Sequence, residues 1–280
     1  MRIPIIDTHV HMDVRSANDY ELMAISGVEA VIVPSTYTGE RRSSKEAYLQ
    51  YYDRLIKFES KRAQAFGIKL YAAVSVDPED LSDVAIANQV LETLPEYFKN
   101  KSVCAMGEIG LEKFTNAEIL IFKKQLEIAN RYKMPVIMHT PHHDKDTNLP
   151  RMLEILEKTI VEYKIDRNLL LLDDLTVETF NYVRKLNLGG YGIAVSPKLN
   201  GLFVMHKKAT PEEAKALIDQ HGSDKIMFNS ALAWGFGDAI GISRVLLHLK
   251  MSGVPENTLK KLAYENAKQF FSQCPNFSLD

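Results

Sequence analysis

The chain has 280 residues, with 34 basic against 36 acidic side chains and a formal net charge of −2. That balance excludes a surface built to coat a polyanion and a charged tail that steers to membranes, leaving room only for a local basic patch. No apolar run approaches the ~20 residues of a membrane-spanning helix, and two cysteines, Cys104 and Cys274, are too few for a disulfide framework or a multi-cysteine zinc site. The length suits one α/β barrel, so a single domain over 1–280 is expected. Met1-Arg2-Ile3 runs straight into a strand pattern, which leaves no signal peptide, and the sparse cysteines fit a reducing compartment; a cytoplasmic location is expected.

Short β-branched runs alternate with longer amphipathic stretches. In chain order the spacing predicts strand 3–11, helix 18–26, strand 28–35, a long helix 42–66, strand 70–77, helix 80–99, strand 104–110 and helix 116–133. The second half continues with strand 135–140, helix 149–163, strand 169–175, helix 177–188, strand 191–196, helix 211–221, strand 225–230, helix 237–251 and a last helix 256–273. In helix 116–133 the residues Ile119, Phe122, Leu126 and Ala129 recur at helical spacing, which marks the face turned to the core. "TPEE" reads as an N-cap at Thr210 followed by proline at the first helical position. Eight strands too apolar to face water, each followed by a helix, argue for a parallel sheet with right-handed crossovers. A closed (β/α)8 barrel is the natural form, with a doubly wound open sheet as the alternative.

In such a barrel the reactive groups sit where strands end, at the C-terminal face. "DTHVHMD" ends the first strand with His9 and His11, which share a face because alternate strand residues do. Glu108 ends the fourth strand in "CAMGEIGLE" and His139 the fifth in "PVIMHTPHHDK". A buried carboxylate can also pair with an arginine, but Glu108 shares its rim with three imidazoles, a donor set suited to zinc or a similar divalent ion. A carboxylate able to bridge two ions, and ions able to acidify water, point to hydrolysis. The remaining histidines, His206, His221 and His248, read as surface or structural residues.

With "DTHVHMD", "GEIGLE", "VIMHTPHHDK" and "NSALAWGFGD" in order along the chain, the sequence resembles the TatD family of metal-dependent hydrolases within the amidohydrolase superfamily. "HTPHHDK" is similar to a TatD-related branch rather than to the housekeeping nucleases. The resemblance implies a (β/α)8 barrel, one or two divalent ions, and phosphodiester hydrolysis, often at DNA ends. It also implies that His9 and His11 bind the first ion, that Glu108 bridges and that His139 binds the second.

The sequence departs from the family at two places. Where a histidine ends strand six, "LLLLDDLTVET" offers Asp173 or Asp174, with Asp174 the nearer equivalent; it would favour a harder ion such as manganese or magnesium, or else cap the next helix. Where the family has a proton-accepting aspartate after strand eight, "NSALAWG" has Ala231 and Ala233. The next acid, Asp238, reads as a first-turn residue of helix 237–251 and as a substitute base alongside Asp174. At the same mouth, His142, His143, Asp144 and Lys145 form a polar loop. His142 and Lys145, joined by Lys198 from "SPKLN", are candidates for holding a substrate phosphate or carboxylate. Trp234 stacks on a substrate ring or packs under its loop, with packing favoured; "RRSSKE" at Arg41 is a loop and helix start rather than a nucleic-acid stripe.

The expected protein is thus a TatD-like barrel hydrolase acting through zinc, manganese or magnesium on a small-molecule or nucleic-acid-end phosphodiester, without a membrane partner. The alternatives are a degenerate barrel that binds metal but serves as a binding or accessory protein, and an isomerase using the same ions.

Overall fold

The computed structural model describes residues 3–197, 208–235 and 237–279. Eight parallel strands follow one another around the sheet in chain order: β1 (Ile5–Asp7), β2 (Val28–Pro34), β3 (Lys69–Ala73), β4 (Val103–Ile109), β5 (Val136–Met138), β6 (Leu170–Leu172), β7 (Gly190–Ala194) and β8 (Ile226–Asn229). The ring closes past the strand ends, where Ala231 N donates to His9 O (3.0 Å) and His11 N to Leu232 O (2.7 Å). The barrel expected from the alternation is the one formed, and the open doubly wound sheet is not.

The helices are α1 (Ala17–Ser26), α2 (Lys45–Asp53), α3 (Ser60–Gln64), α4 (Val84–Tyr97), α5 (Asn116–Tyr132), α6 (Lys145–Tyr163), α7 (Val177–Val183), α8 (Pro211–His221), α9 (Gly241–Met251), α10 (Glu256–Lys260) and α11 (Asn266–Phe271). Several strands are shorter than expected because apolar patterning runs on into the rim after ladder pairing has stopped: β1 ends at Asp7, two residues before His9. The expected helix 42–66 begins only at Lys45, after Ser44 has capped Ala47 N. Arg42 is held outside it, its N–H donating to Asp80 Oδ1 (2.8 Å) and its guanidinium pairing with the same carboxylate. A π turn at Arg54–Glu59 separates α2 from α3, and another at Lys261–Glu265 separates α10 from α11.

Two corrections concern capping. Thr176, not Asp174, caps α7, its hydroxyl accepting from Thr179 N. Helix α9 starts at Gly241, so Asp238 precedes it and is not in its first turn; one oxygen accepts from Ile240 N and the other pairs with Arg244 at 3.2 Å. The Thr210 cap forms as expected, as a full capping box with Glu213 and with Pro211 opening α8. Phe122, Leu126 and Ala129 of α5 are buried and Ile119 packs against the core at its edge. Both cysteines are buried thiols.

Three residues beyond β3, the N–H and C=O of Val76 are paired by the side chain of Gln125 of α5. Its amide accepts from Val76 N (2.8 Å) and donates to Val76 O (3.0 Å), and both residues are buried. The pair pins the start of the loop that carries Asp77 and Glu79 to the rim. Replacing Gln125 by leucine leaves two buried backbone groups without partners, at about 1–3 kcal/mol each. Gln125→Leu is therefore expected to lose about 2–6 kcal/mol in urea unfolding with an unchanged slope. A loss under about half a kcal/mol would show that the loop finds other partners.

Candidate active site

Local hydrogen bonding carries each polar side chain to the rim. Glu108 lies in β4, with Glu108 N donating to Ser35 O (3.1 Å) and Ser75 Oγ donating to Glu108 O (2.7 Å). Its carboxylate faces β1, with Oε2 at 3.4 Å from His9 Nε2 and Oε1 at 3.7 Å from His11 Nε2. The two histidines meet through their Nε2 atoms, 3.1 Å apart. No arginine neutralises Glu108 among the described residues; its partners are imidazoles.

His9 is oriented from behind. Its Nδ1 lies 3.0 Å from Asp173 Oδ2, so an ionised Asp173, which can only accept, holds the proton on Nδ1 and turns the Nε2 lone pair toward His11 and Glu108. Asp173 Oδ1 accepts from Asp174 N (2.7 Å) and from Asn229 Nδ2 (2.9 Å). This carboxylate fits because β7 has no side chain at Gly192, where a Cβ would fall 2.0 Å from Asp173 Oδ1. His139 has a similar niche: a Cβ on Gly110 would lie 2.3 Å from its Nε2. Its Nδ1 lies near Thr140 O (3.2 Å) and Glu112 Oε1 (3.3 Å), while Nε2 is buried with no hydrogen-bond partner among the described residues.

Four overlapping groups result, each with donor atoms within 4.8 Å of one another: His9 with His11 and Glu108; His9 with Asp173 and Asp174; Glu108 with His139 and Asp174; and Glu112 with His139 and His142. Converging imidazoles and carboxylates, together with the unpartnered Nε2 of His139, fit a divalent cation. Burial disfavours charge throughout, and neighbours decide the outcome. For His9, burial opposes protonation, but Glu108 and Asp173 outweigh it and raise the pKa to about 10. Burial raises Glu108 to about 8 against the pull of His9. Burial, reinforced by the neighbouring charge of His142, lowers His139 to about 4.

The structure brings His9, His11, Glu108, His139 and Asp174 together. His142 joins them through Glu112, which lies 3.1 Å from His142 Nδ1, and the His139 and His142 rings stack at 4.9 Å. Lys145 reaches the site by its Nζ, which donates to Asp174 O (2.6 Å). Trp234 is 46% exposed and lines the cleft with His11, Tyr37, Asp77, Glu108 and Ala233, which corrects the expectation that it packs under its loop. Arg15 holds that loop through Ala233 O and Gly235 O (both 3.0 Å). Asp238, paired with Arg244, joins none of the four groups. Lys198 and His206 lie outside the described residues, while His221 is bound to Arg184 and His248 lies in the last turn of α9. Sequence reasoning missed Glu112, readable as the last acid of "GEIGLE", and Lys208, a buried lysine with no motif around it.

Residues 6–167 match the family model of the TatD related DNases. The chain is 34% identical over 268 residues to an uncharacterized metal-dependent hydrolase of Methanocaldococcus jannaschii, covering 95% of this chain and 99% of that one. A second uncharacterized metal-dependent hydrolase, YjjV of Escherichia coli, is 31% identical over 156 residues, half of this chain and 52% of the relative. Among solved structures, the TatD-like protein of Archaeoglobus fulgidus superposes with a TM-score of 0.74 at 24% identity, covering 95% of this chain and 99% of that one. The phosphotriesterase homology protein of Escherichia coli gives 0.68 at 16% identity, over 97% and 99%. With the family model spanning more than half the chain and a relative matched along nearly its whole length, this protein belongs to the TatD family of metal-dependent hydrolases.

Proposed function

We propose that the chain hydrolyses a phosphodiester, of a small molecule or at a nucleic-acid end, at a site where His9, His11, Glu108, His139 and Asp174 hold one or two divalent ions. The observation that carries this reading is the sharing of Glu108 between two donor groups, one with His9 and His11 and one with His139 and Asp174. Three imidazoles and a carboxylate favour zinc, and Asp174 adds an oxygen donor suited to manganese or magnesium. An ion held there acidifies water and draws charge from a phosphoryl oxygen.

The chain's own residues supply the rest. Asp173 fixes the tautomer of His9, and Glu112 does the same for His139 and His142 from the opposite wall. We assign the proton acceptor to Asp174, a reading supported by its grouping with Glu108 and His139 while Asp238 pairs with Arg244. His142 and Trp234 line the cleft from two sides and are positioned to touch substrate, and Lys145 steadies Asp174 through its backbone oxygen. No helix among the described residues is long and apolar enough to cross a membrane, and a cytoplasmic location fits the composition. A second reading, an impaired barrel that binds rather than cleaves, is favoured by one observation: Ala231, buried after β8, has neither a ligand atom nor a base.

Elemental mass spectrometry on untagged protein, equilibrated with zinc, manganese and magnesium and freed of excess ion, is expected to find about one or two ions per chain. His139→Ala should lose at least half of that metal, and less than about a tenth of an ion in the parent chain would end the hydrolase reading. Because His9 must shed the proton that Glu108 and Asp173 help it keep up to about pH 10, metal uptake at pH 7 should release protons. Apparent affinity should rise with pH by up to about tenfold per unit between about pH 8 and 10, and more steeply below about 8, where Glu108 also gives up a proton. His139, already neutral above about pH 4, adds no such release at pH 7. Calorimetry in two buffers of different ionisation heat reads this directly, and equal heats would refute it. Ala231 sits at φ +41°, a region aspartate tolerates better than most residues. With Asp174 already taking the proton, Ala231→Asp should leave metal-dependent cleavage of bis(4-nitrophenyl) phosphate within about threefold of the parent; a gain of about 10²–10⁴ would favour the impaired-barrel reading instead.

A further inference from the structure

Lys208 is a buried cation that the hydrolytic reading leaves unused. Its place is set by backbone pairing just past the end of β7: Ala209 N donates to Ala194 O (2.8 Å), and Ser196 N donates to Ala209 O (3.0 Å). Val195, bridged to Ala209, also donates its N–H to Asn229 O of β8 (3.0 Å). Lys208 is thereby held on the β7–β8 side of the rim, the side on which the buried Ala231 carries no acid.

Lys208 is only 8% exposed, and among the described residues its ammonium has neither a hydrogen-bond nor an ion-pair partner. A lysine so placed is costly unless opposite charge lies near it. Here the charges around it are Asp7 from the end of β1, Asp174 from the end of β6 and Asp238 from the segment before α9, with Arg15 opposing them. These acids are engaged elsewhere in part: Asp7 Oδ1 accepts from Ser230 N (3.0 Å), and Asp238 pairs with Arg244. The acids keep a cation at the rim without closing on it, and its three N–H donors remain available. Burial lowers its pKa to about 8, which still leaves the ammonium as the main form at neutral pH.

We propose that Lys208 binds an anionic oxygen of the substrate's phosphoryl group on the β7–β8 side of the rim. This rests on the hydrolytic reading of the site and deepens it: the bound group carries negative charge, and Lys208 selects for it on a side where position 231 bears no carboxylate to repel it. A purely structural lysine, placed to balance Asp7 and Asp174, makes different predictions.

The test is calorimetric titration of inorganic phosphate into the full chain, both zinc-loaded with free ion removed and chelated, for the parent, Lys208→Met and Lys208→Arg. Methionine keeps the length and removes the charge, whereas arginine keeps the charge. Loss of a charge-assisted hydrogen bond predicts phosphate binding weakened about tenfold or more in Lys208→Met and within about threefold of the parent in Lys208→Arg, with metal content equal in all three. Equal phosphate affinity in the parent and Lys208→Met, with or without a shift in melting temperature, would overturn the proposal. So would an absence of phosphate binding in the parent, or metal lost along with the lysine. A parent chain that holds no zinc would refute the hydrolytic reading instead, and the chelated titrations would still decide whether Lys208 binds phosphate.

Discussion

The rim depends first on the carboxylate of Asp173. Its two oxygens bind His9 Nδ1, the backbone N–H of Asp174 and the side-chain amide of Asn229, so one buried group ties the ends of β1, β6 and β8. Hydrogen bonds to a charged group contribute about 1.5–3 kcal/mol each, and without them an unshared carboxylate at that depth would be strongly unfavourable. The absence of a side chain at Gly192 makes this possible. Once Asp173 is in place, the tautomer of His9 follows, then the direction of Nε2, and then the contact of His9 with His11 and Glu108.

Glu112 repeats the arrangement on the opposite wall, with His139 and His142 as its two imidazoles. The two acids differ in what they command. Asp173 is fully buried and orients a ring that Glu108 also holds, whereas Glu112 joins a buried ring to one that is partly open to the cleft. Its pKa falls even though burial acts to raise it, because the hydrogen bond from His142 and the charges of both rings prevail. One wall is thus fully buried and the other reaches toward solvent, which suits a division between holding a cation and meeting a substrate.

Much of this was legible in the residue order. Strand and helix alternation is a periodic signal, and the barrel forms as the alternation indicates. His9, His11, Glu108 and His139 stand directly after apolar runs, so their shared rim follows once the fold is a barrel. What stayed hidden depends on pairing across strands distant in sequence. Asp173 and Asp174 are adjacent, yet one turns behind His9 while the other, at φ +55°, turns toward Glu108 and His139. No local pattern separates them, and the capping motif of "DLTVET" pointed to the wrong residue because Thr176 is the better-placed acceptor. Lys208 was invisible for a similar reason: its burial comes from a two-bond bridge between Ala209 and the end of β7.

Positions 174 and 231 shape the charge of the rim. Asp174 puts a carboxylate beside Glu108, and Ala231, after β8, puts none. Glu108, Glu112 and Asp174 stand on the β4–β6 side, and a lysine stands on the β7–β8 side with no acid paired to it among the described residues. A polarised rim orients an ester by its charged end before any bond is broken, because field lines concentrate in a low-dielectric cleft. Asp174 stands between the two sides, grouped with Glu108 and His139 and also among the charges that act on Lys208. On the proposed reading, the groups that hold the cation and the lysine that meets the anion come from different strands of the barrel, so charge selectivity can change without change in the metal donors.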